Sequence, residues 1–110
     1  MIYVFNTLIA PVNFDEIGDV VVKFRKISVE EAVEILKNNS FISAIGHEGT
    51  ARILSTLFGI EIKMNRITVF MKRGDKGIHF FLKKRLPEGV VLTEDELKQL
   101  DYWLVLSEVC

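Results

Sequence analysis

Apolar residues recur along this chain with two different periods, and the changes between them mark the elements. Residues 2–10 form an apolar, β-rich run ended by Pro11, which reads as a strand whose character is interrupted at Asn6 and Thr7. Residues 11–18 read as a loop. Residues 19–27 alternate, Val20, Val22 and Phe24 against Val21, Lys23 and Arg25, predicting a strand with one wet face. At Ser28 the period lengthens. Val29, Ala32, Val33 and Leu36 then share one helical face, with Glu30, Glu31, Glu34 and Lys37 in solvent. Ser28 and Glu31 have the spacing of a capping box, and Asn38-Asn39-Ser40 ends the helix.

Residues 41–59 organise the rest. Phe41, Ile42, Ala44 and Ile45 make a short run suited to a buried strand, and Gly46 breaks it. His47-Glu48-Gly49-Thr50 follows. From Ala51 the helical period returns, with Ala51, Ile53, Leu54, Leu57 and Phe58 on one face and Gly59 as terminator. The stretch therefore reads strand, glycine turn, helix, with an imidazole at the turn. Residues 59–65 read as a connector. Residues 66–72 alternate and, across the polar turn 73–77, form an expected hairpin with a strand at 78–83. His79, mid-strand, is expected at the surface and is assigned no role. Thr93-Glu94-Asp95-Glu96 caps a short helix through Leu100, and residues 102–106 are a final strand. The order implies a single α/β domain spanning 1–110, with a mixed sheet of about five to six strands and helices packed on it.

Composition narrows the chemistry. With 14 basic and 15 acidic residues the net charge is −1, which argues against duplex DNA as a partner; any anionic ligand is expected to be small and held in a focused site. One cysteine, Cys110, allows no internal disulfide and fits a reducing, cytoplasmic setting. No apolar run approaches the ~20 residues of a membrane span, and the first residues read as strand, not signal peptide. Two histidines and one cysteine give no zinc-ligand spacing, so neither a metal nor another cofactor is expected.

Two stretches carry candidate chemistry. A helix starting after His47 presents unpaired backbone N–H groups and the positive end of its dipole, which suits a phosphate. A histidine beside a bound phosphodiester can act as a general acid. The second stretch, Lys83-Lys84-Arg85-Leu86-Pro87-Glu88-Gly89, offers an arginine for phosphate and a carboxylate for a reacting group, or else a solvated charged turn.

The segments N-T-L-I, S-A-I-G-H-E-G-T, N-R-I-T-V and R-L-P-E-G-V-V-L-T together resemble the viral anti-CRISPR ring nucleases that act against type III CRISPR immunity, and their cellular relatives. The resemblance covers nearly the whole chain. It implies a metal-independent phosphodiesterase, cytoplasmic in the host cell, that cleaves the second messenger cyclic tetra-adenylate. In that chemistry a ribose 2′-hydroxyl attacks the adjacent phosphorus and a histidine protonates the departing 5′-oxygen. The product is linear di-adenylate ending in a 2′,3′-cyclic phosphate. Carried over, His47 is the general acid and Glu88 lies near the reacting centre, while Asn6, Thr50, Arg66 and Arg85 hold the ligand. With one His47 per chain and a rotationally symmetric ligand cut on opposite sides, a two-fold homodimer is expected. This chain departs from the family at Gly49, where relatives can carry a hydroxyl, and at Phe81, where they can carry an amide. Two other readings stand beside it. One is a sensor or sponge that binds cyclic oligoadenylate without cutting it; the other is a protein-interaction module using the apolar edge strands and Cys110, which leaves Gly46-His47 and Arg85/Glu88 unexplained.

Overall fold

The structure, a computed structural model, describes residues 1–84 and 99–110. In chain order the elements are β1 (Ile2–Phe5), β2 (Val22–Lys26), α1 (Val29–Asn38), β3 (Phe41–Ala44), α2 (Glu48–Phe58), β4 (Lys76–Leu82) and β5 (Tyr102–Val109). The five strands form one mixed sheet in the order β2-β5-β4-β1-β3. β1 lies parallel between β3 and β4, with Phe5 opposite both Ala44 and His79. β5 runs antiparallel to β4, and β2 antiparallel to β5. This is the mixed α/β architecture expected. The expected third helix, 93–100, lies mostly outside the described residues.

Strand alternation divides the apolar residues between two faces. Ile2 and Val4 of β1, Ile78 and Phe80 of β4, and Leu104 of β5 meet Ala32 and Leu36 of α1 and Ala51, Leu54 and Phe58 of α2. Both helices thus cover one face. On the other, Phe5 and Val109 pack under Val12, Val69 and Met71, which come from irregular segments rather than helices. Phe5 and Phe80 are almost fully buried, and burying such a ring contributes about 1.5–3 kcal/mol.

Local signals explain the helices. Ser28 Oγ accepts from the Glu31 amide at 3.1 Å, the first half of the expected capping box, and Glu30 and Glu31 fall in the first turn of α1. Gly59 ends α2 in the left-handed conformation at φ 63°, its amide bonded to the Ser55 carbonyl at 3.0 Å.

Three expectations about strands are corrected. The expected strand 2–10 stops at Phe5, and the chain bends at Asn6. β2 is an edge strand without a buried face of its own, and Phe24 is half exposed. The hairpin of 66–72 with 78–83 does not form. β4 pairs with β1 on one side and β5 on the other, so neither edge is open to 66–72. That segment keeps Val69 and Met71 buried and makes a single bridge, Met71 with Val12.

Candidate functional site

Because β3, β1 and β4 are parallel, their C-terminal ends lie along one edge of the sheet. In open α/β sheets this edge, where successive connections leave in opposite directions, is where ligands bind. Asn6 follows β1 and, by register, stands level with Ile45, just before the Gly46-His47 turn. Lys83 and Lys84 follow β4 at the same edge.

His47 occupies the N-cap of α2 with extended backbone, φ −128° and ψ 126°, and its side chain makes no capping hydrogen bond. The imidazole is exposed. The contrast with Ser28 is informative, because a side-chain oxygen normally satisfies a first-turn amide at this position. At α2 no N-cap side chain takes that role, and the first-turn amides and the dipole favour an anion there. Thr50, in the first turn, is half-buried beside them. Glu48 does not face the site alone, since Arg52 one turn later pairs with it at 3.1 Å.

Arg66 reaches the same turn by a traceable route. After Gly59, Ser55 Oγ accepts from the Ile62 amide at 2.8 Å and ties the returning chain to α2. Residues 62–66 then run beside β3. Asn65 N bonds the Ile45 carbonyl and Asn65 Nδ2 the Ser43 carbonyl, both at 2.8 Å, while Ser43 Oγ donates to the Lys63 carbonyl. This clamp delivers Arg66, whose Nε donates to the Gly46 carbonyl at 2.8 Å. Among the described residues nothing bonds its terminal nitrogens, whose planar fork suits an anion. A Cβ built on Gly46 would meet Arg66 Cγ at 3.8 Å, an ordinary contact. The protein's own packing therefore does not demand glycine at 46.

The structure accordingly brings His47, Thr50 and Arg66 to one turn and places Asn6 on the adjacent strand end. Arg85 and Glu88 lie outside the described residues. Phe81 instead stacks on Trp103 across β4 and β5, ring centroids 5.4 Å apart, and Lys83 Nζ lies 5.0 Å over Trp103 while pairing with Asp101.

His79 contradicts the expectation of a surface residue. It is fully buried, and both ring nitrogens are bonded. The Thr7 carbonyl at 2.9 Å can only accept, so Nδ1 carries a proton and donates. Nε2 then accepts from the Ser107 hydroxyl at 2.7 Å. Burial lowers the His79 pKa from its ordinary value, and the bond to Thr7 opposes this in part. Phe5 stacks on the ring at 5.0 Å and 18°, and Phe24 meets it edge-on at 5.9 Å. Gly77 makes room: a Cβ there would come within 2.7 Å of Ser107 Oγ and 2.8 Å of His79 Nε2. The signal in the sequence was faint, a histidine flanked by Ile78 and Phe80 and a serine inside the apolar last strand.

The fold and this edge define a small α/β domain with a parallel three-strand core and an anion-suited helix end at its carboxyl side. The chain belongs to the STIV B116-like family, whose model matches residues 2–104. It is 43% identical over 110 residues to uncharacterized protein 26 of Sulfolobus islandicus filamentous virus, covering 99% of this chain and 92% of that one. Identity is 38% over 86 residues with the uncharacterized protein YddF of Bacillus subtilis, 76% of this chain and 80% of that one. The structure of B116 of Sulfolobus turreted icosahedral virus superposes with a TM-score of 0.82 over 97% of each chain at 24% identity, which establishes a shared fold.

Proposed function

We propose that this protein is a metal-independent ring nuclease that opens cyclic tetra-adenylate and so switches off type III CRISPR signalling. The observation that carries the reading is the N-terminus of α2, where, among the described residues, the exposed His47 imidazole makes no capping hydrogen bond and Arg66 is anchored on the neighbouring carbonyl. The motif resemblance supplies the substrate.

In this reading a phosphate of the ring sits at the first-turn amides of α2, held by Thr50 and the Arg66 fork, with Asn6 on the adjoining sugar or base. The ribose 2′-oxygen forms a bond to phosphorus and the bond to the 5′-oxygen breaks. His47 gives its proton to that leaving oxygen, and the 2′-hydroxyl proton passes to solvent. A pre-oriented hydroxyl needs mainly an in-line geometry and one proton donor. The second histidine is already committed on both nitrogens, which leaves His47 as the one imidazole able to act at this edge. By the motif resemblance, Arg85 adds a phosphate contact and Glu88 a carboxylate near the reacting centre. A two-fold homodimer with the ligand on its axis sets one His47 at each of two opposite cuts.

Incubation with cyclic tetra-adenylate in excess chelator, followed by chromatography, tests the proposal. Linear di-adenylate with a 2′,3′-cyclic phosphate is expected at an undiminished rate. Intact ring after prolonged incubation, or activity that returns only with added Mg²⁺ or Mn²⁺, would contradict it.

A further inference from the structure

We propose that His79 is a positioning residue for this edge: it fixes the end of β1 and thereby the place from which Asn6 meets a bound nucleotide. The inference rests on the reading of Asn6 as a ligand contact.

The β1 ladder to β4 ends at the Phe5–His79 pair. Asn6 and Thr7 lie beyond it, where no strand pairing holds the main chain. Nδ1 of His79 takes over by donating to the Thr7 carbonyl, one peptide past Asn6. The ring is itself held from behind by Ser107 on β5, by Phe5 on one side and by the edge of Phe24. Gly77 leaves the ring its place, since an added Cβ would strike both the ring and Ser107. A continuous chain of contacts thus runs from the sheet interior to the strand end, Ser107 to His79 to Thr7. For stability alone an apolar residue would serve at position 79, because a buried polar side chain costs desolvation that its hydrogen bonds only offset. What an apolar side chain could not do is hold a carbonyl beyond the ladder.

Two variants separate positioning from packing. His79→Phe retains an aromatic ring but has no donor for Thr7, whereas His79→Asn places an amide N–H where Nδ1 stood. Backbone resonances of Asn6 and Leu8 are recorded without ligand, and cyclic tetra-adenylate is titrated into each variant alone and combined with Asn6→Ala. His79→Phe is expected to shift the Asn6 and Leu8 resonances and weaken binding about tenfold, the effect of one lost hydrogen bond. His79→Asn is expected to restore both toward wild type. In the Asn6→Ala background, His79→Phe is expected to weaken binding no further, because the two changes act through one contact. Equal losses in both backgrounds overturn the proposal, as do unshifted Asn6 and Leu8 resonances in His79→Phe. If His79→Phe does not fold, His79→Asn decides: wild-type resonances support positioning, and a displaced Asn6 overturns it. Wild type that fails to bind the ring removes the functional reading, and the ligand-free resonances then judge the positioning alone.

Discussion

At the residue scale, the described glycine with the least room for a side chain is Gly77, against His79 and Ser107. The atoms that an added Cβ would strike are not ends of flexible chains, since Ser107 Oγ and His79 Nε2 are bonded to each other and Phe5 lies 3.0 Å away. Gly77→Ala is therefore expected to lower stability by about 1–3 kcal/mol, read as a lower denaturation midpoint, despite alanine's better strand propensity. The same histidine makes stability depend on pH. The unfolded chain titrates near the ordinary value of 6.5, and burial holds the folded residue below it. Between those two values the unfolded state binds more protons, so the contribution is complete above about pH 6.5 and is lost as pH falls through the folded value. Urea unfolding of wild type is expected to show this decline over mildly acid pH, and His79→Asn to lack it. Equal slopes in the two proteins would contradict the assignment.

At the element scale, the two helix starts differ in a way that can be measured. α1 begins with a serine that caps, and α2 with a histidine that does not. Ser28→Ala is expected to cost about 1 kcal/mol in chemical denaturation. His47→Ala is expected to change stability by less than about 0.5 kcal/mol, as for an exposed position whose side chain does not cap its helix. A large loss at His47 would mean that the imidazole serves the fold. The elements legible in the sequence were those specified locally: the Ser28–Glu31 cap, the apolar stripes of both helices, and the strand–glycine–helix join at 41–59. Those misread depended on distant partners. Residues 66–72 have a strand's alternation but find both edges of β4 occupied. Phe24 alternates as a core residue would, yet it lies on an edge strand. His79 could not be placed inside until β1 and β5 were known to flank it, because its burial is a property of the sheet and not of its neighbours in sequence.

At the scale of the whole molecule, the site is a consequence of topology. Residues separated by 40 positions, Asn6 and Gly46, reach one edge because β1 and β3 run parallel in register, and Arg66 joins them through the clamp along β3. The motif resemblance had already put His47, Thr50 and Arg66 on one ligand, but the clamp along β3 that carries Arg66 to the turn was not legible. Among the described residues no helix is long and apolar enough to cross a membrane. The central claim is that this edge cuts a cyclic oligoadenylate and does not merely hold it. Its most direct test is titration and single-turnover cleavage of cyclic tetra-adenylate by wild type and His47→Ala under identical conditions. With the helix end, Thr50 and Arg66 intact, the variant should bind nearly as tightly as wild type and cleave about 10²–10⁴-fold more slowly, the usual contribution of a positioned acid. A His47→Ala protein that cleaves at the wild-type rate would contradict the account.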